Sequence, residues 1–134
     1  MQLQRVTKAQ AERLKKLGFD WGTDRFYFNG RDGWIEIDLE QHEISNHNAI
    51  ESDKYLSAPT IQHALMWLRE VKVVHVAVFL ARNIWYYVLS THNSVGWFLP
   101  MDSNSSATHA LAESAGLDAA LDWLEQNEKE VGNV

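Results

Sequence analysis

The side chains of this 134-residue chain that could do chemistry are histidines, carboxylates, serines and tryptophans, for it has no cysteine. Disulfide frameworks, cysteine–zinc sites and thiol nucleophiles are therefore excluded. His42-Glu43-Ile44-Ser45-Asn46-His47 invites comparison with the zinc-protease helix. That motif sets two histidines four residues apart on one helix face, with Glu as the base. Here they are five apart, or about 140° round a helix, so one helix cannot present both to one metal. Only a loop could gather His42, His47, Glu51 and Asp53, and a solvated polar loop is the expected reading. The serines near histidines (Ser90/His92/Ser94 and Ser106/His109) fall in turn and cap contexts, and no Gly-x-Ser-x-Gly elbow is present. Gly30, Gly33, Gly96 and Gly116 are isolated, so no phosphate-cradling loop is formed. Glu36/Asp38 and Asp118/Asp122 read as pairs on the wet sides of a strand and a helix, and His75 as a hydrogen-bonded histidine of an apolar strand. No catalytic, cofactor-binding or metal-ligating residue is assigned.

The six tryptophans, Trp21, Trp34, Trp67, Trp85, Trp97 and Trp123, point elsewhere. A large aromatic buries on the order of 150–250 Å², which suits a core. Tryptophan is also enriched at the hot spots of protein interfaces. Trp34 alternates with Ile35 and Ile37 and shares its side with Glu36 and Asp38, so the pattern places it on a polar face beside the Arg31-Asp32 turn. Arg31, Asp32 and Trp34 are the candidate partner-binding residues, with Trp123 of the acidic last helix as the next.

Local signals say which elements hold these residues. Thr7 and Gln10 have capping-box spacing, and Leu3, Val6, Gln10, Leu14 and Leu17 follow one helical face. Gly18 suits a left-handed helix end with Phe19 folding back onto Leu14, so a helix is expected from about Thr7 to Leu17. Arg25–Phe28 and Trp34–Asp38 then read as a hairpin around Asn29–Gly33, with Ile35 and Ile37 on the buried side. Residues 40–57 are polar and weakly patterned, the best candidate for a linker unless they hide a short element. Ser57-Ala58-Pro59-Thr60 opens a second helix whose expected buried stripe is Ile61, Ala64, Leu65, Leu68 and Val71, with Trp67 at its edge. Three strands follow, Val73–Leu80, Ile84–Ser90 and Val95–Leu99, parted by turns at Arg82-Asn83 and His92-Asn93-Ser94. The last helix is expected from about Ala107 to Gln126, capped by Ser105 or Ser106, with Ala110, Leu117, Leu121 and Leu124 facing inward. Gly116 interrupts it at about 1 kcal/mol, which implies close packing there.

The expected class is α+β: a small antiparallel sheet packed with helices, in one compact domain or two packed modules. The modules would be a helix–hairpin at 1–40, a linker at 41–57 and an α-β-β-β-α unit at 58–127. That order resembles the double-stranded-RNA-binding fold, which reads RNA with lysines at the start of its last helix. The corresponding Ser105–Glu113 stretch has no lysine or arginine. Ala58-Pro59-Thr60-Ile61-Gln62 with Trp67-Leu68-Arg69, Trp85-Tyr86 and the Ala/Glu-rich 112–121 stretch resemble a family of short proteins from bacterial prophages and mobile elements. The resemblance spans about residues 57–124; it implies that setting and no catalytic residue. Both alternations of the second-half sheet are apolar, His75/Ala77/Phe79 as well as Val74/Val76/Val78. Two helices cover one face, so the first half, a second copy of the chain or a partner must cover the other.

Composition bounds the function. Net charge is −6, which argues against direct nucleic-acid binding through a basic surface. The charge is uneven: +3 over residues 1–20, −5 over 21–54, +2 over 55–99 and −6 over 100–134. The apolar run from Val73 to Ala81 is broken by His75 and falls below the roughly 18 residues of a membrane helix, so a cytoplasmic protein without a membrane or cofactor is expected. The expected function is a non-enzymatic protein-interaction or regulatory accessory role with a protein partner, a homodimer being compatible. The alternatives are an acidic DNA mimic, an RNA binder of the double-stranded-RNA-binding type, and a small enzyme whose site carries no motif.

Overall fold

In the computed structural model the described residues are 4–38, 45–50, 52–93, 96–97, 102–106 and 108–132. The chain is α+β and divides into two units, Met1–Thr60 and Ile61–Val134. No described helix is long and apolar enough to cross a membrane.

In the first unit, α1 (Lys8–Lys16) begins with the capping box foreseen from Thr7 and Gln10: the Gln10 N–H donates to Thr7 Oγ1 and the Gln10 side chain accepts from the Thr7 N–H. It ends as Gly18 spaces the chain at φ +95° and the Phe19 N–H returns to the Leu14 carbonyl. Val6, Ala11, Leu14, Leu17 and Phe19 are buried by this arrangement. The sheet has the order β2-β1-β3, all antiparallel, with β1 at Arg25–Gly30, β2 at Gly33–Asp38 and β3 at Tyr55–Ser57. Asn29 and Gly33 belong to the strands, so the turn is only Arg31-Asp32. The segment expected as a linker supplies β3 and a 3-10 turn at His47–Ala49. Asn48 ties the two together: its side-chain oxygen accepts from the Ser57 N–H and its own N–H donates to Ser57 Oγ. Residues 39–44 and 51, and with them His42, Glu43 and Glu51, lie outside the described residues.

The alternation of β2 is present, but burial does not follow it as expected: Trp34 is half-buried while Glu36 and Asp38 on its side are exposed. Ile35 is 52% exposed and Ile37 half-buried. Trp34, Tyr27 and Leu56 share the opposite face, and the Tyr27 hydroxyl donates to the Val6 carbonyl just before α1. A period of two separates two faces without saying which one a helix will cover. On the Ile35 face, Phe26 stacks on His47 at 4.3 Å and Phe28 lies 5.1 Å from Tyr55. Arg5 closes the unit by pairing with Asp24 at 2.7 Å, a hydrogen bond that holds the Asp24 carboxyl below its ordinary range.

In the second unit, α2 (Ile61–Trp67) widens into a π-helical turn over Leu68–Lys72. That turn moves Val71 off the expected stripe, because a wider turn rotates later residues off the 3.6-residue period; within α2 itself the buried side is turned toward Trp67. Val71 is 50% exposed, Leu65 is only half-buried, and Trp67, expected at the edge, is fully buried. Val73, expected in a strand, instead ends the turn in the left-handed conformation at φ 58°. The sheet follows, with β4 at Val74–Ala81, β5 at Ile84–Asn93, a short β6 at Gly96–Trp97 and β7 at Asp102–Ser106. β5 pairs antiparallel with β4, β6 and β7. Arg82 and Asn83, both at positive φ, form the β4–β5 turn as expected. His92 and Asn93, expected in a turn, are strand residues, and Ser105 and Ser106, expected as helix caps, lie in β7. The helix α3 (His109–Gly132) is capped by Thr108, whose hydroxyl accepts from the Leu111 N–H. Ala110 is exposed; Ala112, Leu117, Ala120, Leu121 and Leu124 face inward. Close packing at Gly116 is present: a Cβ there would stand 2.6 Å from Val76 Cγ1 and 3.3 Å from Tyr87 Cβ.

Candidate functional site

Three segments distant in sequence build a cleft of about 440 Å³ in the first unit. The last turns of α1 bring Glu12, Lys15 and Lys16; the hairpin brings Asn29 and Trp34, which face each other across β1 and β2; the chain before and within β3 brings Asp53 and Leu56. Helix spacing explains the α1 contribution, since Glu12, Lys15 and Lys16 stand three and four residues apart on one side. Lys15 is structural: its ammonium donates to the Ser52 carbonyl at 2.8 Å and the Tyr55 carbonyl at 2.9 Å, fastening α1 to the chain that forms β3.

Trp34 is the large aromatic of this cleft and is half-buried. Lys8 lies over its ring, with the ammonium 4.8 Å from the centroid, a separation at which the ring quadrupole attracts the cation. The same ammonium is 2.8 Å from Glu12. Lys16 is exposed and has no ion pair among the described residues. Farther along the same side of the hairpin, Glu36 and Asp38 both reach Arg25, at 3.3 and 3.0 Å. Both ends of β2 therefore carry charges of both signs: Lys8, Lys16, Glu12 and Asp53 about the cleft, and Arg25 with Glu36 and Asp38 at the far end.

Of the residues singled out from the sequence, Trp34 is in the cleft. Arg31 and Asp32 are exposed in the adjoining turn and do not line it. Trp123 is half-buried on α3 in the other unit. Glu12, Lys15, Lys16 and Leu56 carry no motif; Asn29 reads only as a hairpin residue and Asp53 only as one of four side chains a loop could gather, and nothing local in the sequence joins any of them to Trp34.

A smaller hollow of about 150 Å³ lies in the second unit, lined by Gln62, Leu65, Met66, Arg69, His75 and Val76. Burial, with Arg69 adding to it, lowers the His75 pKa below the ordinary imidazole value. His47, in the first unit, sits within hydrogen-bond distance of the Thr23 carbonyl, at 3.2 Å from Nε2. A carbonyl can only accept, so the proton is on Nε2. Burial lowers this imidazole's pKa too. Among the described residues no group of three histidine or acidic side chains is placed to hold a metal. No family model matches this sequence, and no match is found among curated proteins or solved structures.

Proposed function

We propose that this protein is a non-enzymatic interaction module that receives a segment of a partner protein in the Trp34 cleft. One observation carries this reading: a half-exposed tryptophan forms the wall of a 440 Å³ cleft whose rim is charged. A large apolar ring inside a ring of charged side chains is the composition of an interface hot spot, where the aromatic supplies contact area and the rim excludes water. Lys8 already lies over the indole, so less ordering entropy remains to oppose binding.

The test is selection of a random peptide library against the intact protein, followed by affinity measurement on wild type and Trp34→Ala. Selected peptides should lose about 2 kcal/mol of affinity, roughly thirtyfold, with the substitution. The thermal melt should change little, because Trp34 is not part of the buried core. Failure to enrich any sequence, or equal affinity for both proteins, would reject the reading.

A further inference from the structure

The hollow of about 150 Å³ in the second unit is independent of the Trp34 cleft, which belongs to the first unit. Gln62, Leu65, Met66 and Arg69 line it from α2 and the start of its π-helical turn. They stand three and four residues apart, so they share one side of the helix. Val73, left-handed at φ 58°, ends that turn and hands the chain to β4, whose first residues bring His75 and Val76 to the same hollow.

The lining divides into two chemistries. Gln62, Arg69 and His75 offer N–H donors, while Leu65, Met66 and Val76 are apolar. No acidic side chain is among the lining residues. Glu70, which does not line the hollow, meets Arg69 at 3.7 Å with both side chains about half exposed. Such a surface contact is too weak to hold the guanidinium against a better acceptor. Burial, and then the Arg69 charge, keep the His75 pKa below its ordinary value, so the positive field of Arg69 reaches into the hollow. Met66 is 45% exposed, which leaves apolar surface open to a ligand.

We infer that this hollow binds an aliphatic carboxylate. The planar guanidinium of Arg69 takes both carboxylate oxygens, as its fork geometry allows. Gln62 and His75 border the charged end, and the hydrocarbon lies on Leu65, Met66 and Val76. An inorganic anion would leave those three side chains wet, and a cation would meet Arg69 with no acid to offset it. At about 30 Å³ of liquid volume per water, the hollow has room for about five waters, the space of a short branched acid.

Chemical-shift titration of the intact protein with 3-methylbutanoate tests the assignment. Signals of Arg69, His75 and Val76 should move saturably. The uncharged 3-methylbutanamide, of nearly the same shape, should bind about tenfold more weakly or worse. Arg69→Gln should cost a similar factor and Arg69→Lys should recover part of it; the side chain at 69 is 45% exposed, so neither change disturbs the core. N-acetyl-leucine separates the two sources of such a group: tighter binding than the free acid assigns the site to a peptide C-terminus, weaker binding to a small free acid. Absence of a saturable shift, equal titration by acid and amide, full affinity in Arg69→Gln, or binding of inorganic phosphate as tight as that of the acid would overturn the carboxylate site. The Trp34 cleft would stand after any of these results.

Discussion

At the level of single residues, the cores of the two units rest on a few side chains whose removal has a calculable cost. Trp67 is 1% exposed and lies where α2 passes into its π-helical turn. Trp67→Ala is expected to destabilise by roughly 3–5 kcal/mol, the usual cost of replacing a buried large aromatic, measured as a shift in denaturant midpoint. Thr7, Gln10 and Gly18 were legible from the sequence because a cap is a matter of neighbours: donor, acceptor and left-handed residue fall within a dozen positions. Ile35 was not. Its alternation with Trp34 marks two faces correctly, but coverage is set by α1, which meets the sheet through Lys8 over the Trp34 ring and Lys15 on the Tyr55 carbonyl. Trp34, which the alternation places on a polar face, lies half-buried at a cleft under Lys8.

At the level of elements, two positions let packing be weighed against backbone preference. Gly116→Ala should gain about 1 kcal/mol of helix propensity. It should lose more, since the new methyl would press on Val76 and Tyr87 at 2.6 and 3.3 Å, and overpacking costs about 1–3 kcal/mol. Net destabilisation is therefore expected in chemical unfolding, and the same change made on a Val76→Ala background should be tolerated, which a double-mutant cycle would read as coupling. Val73 presents the opposite case. A β-branched residue at φ 58° is held in a conformation that costs about 1–2 kcal/mol. Val73→Gly should raise the unfolding free energy by about 0.5–1 kcal/mol, read from denaturant titration, despite the entropy glycine adds to the unfolded chain. The elements that could be read from sequence are those with their own periodicity: α1, the hairpin, α2, β4, β5 and α3. Asp102-Ser103-Asn104-Ser105-Ser106 has the composition of a turn, and it is a strand because β5 offers it a ladder from Leu89 to Trp85. The cleft was illegible for the same reason, as three separated segments meet only in the fold.

At the level of the whole molecule, both units carry a histidine whose burial sets a common response to acid. The folded-state pKa values of His47 and His75 lie below the ordinary 6.5, chiefly through desolvation. The unfolded chain therefore binds protons first as pH falls. Their contribution to stability is complete above about pH 6.5 and declines as pH drops toward the folded values. Asp24 acts in a lower window: its carboxyl, lowered by Arg5 from 3.8, contributes above that value and is lost on further acidification. Denaturant midpoints measured from about pH 8 to about pH 5 should fall, and the fall should shrink in His47→Gln and His75→Gln. A midpoint that rises on acidification would contradict the placement of both rings.

The bond from the Val6 N–H to the Pro59 carbonyl and the pairing of Arg5 with Thr60 order events during synthesis. α1 is translated first, yet its nine residues are too few to persist as an isolated helix in water. Its carbonyl clasps at Ser52 and Tyr55, and the bridge that pins its leading segment, are encoded at the other end of the unit. The nascent chain thus cannot complete this unit until Thr60 has left the ribosome, a wait of several seconds at ordinary elongation rates of about 5–20 residues per second. Codon changes that slow translation just before position 60 would lengthen the interval in which Leu14 and Phe19 stand exposed to chaperones.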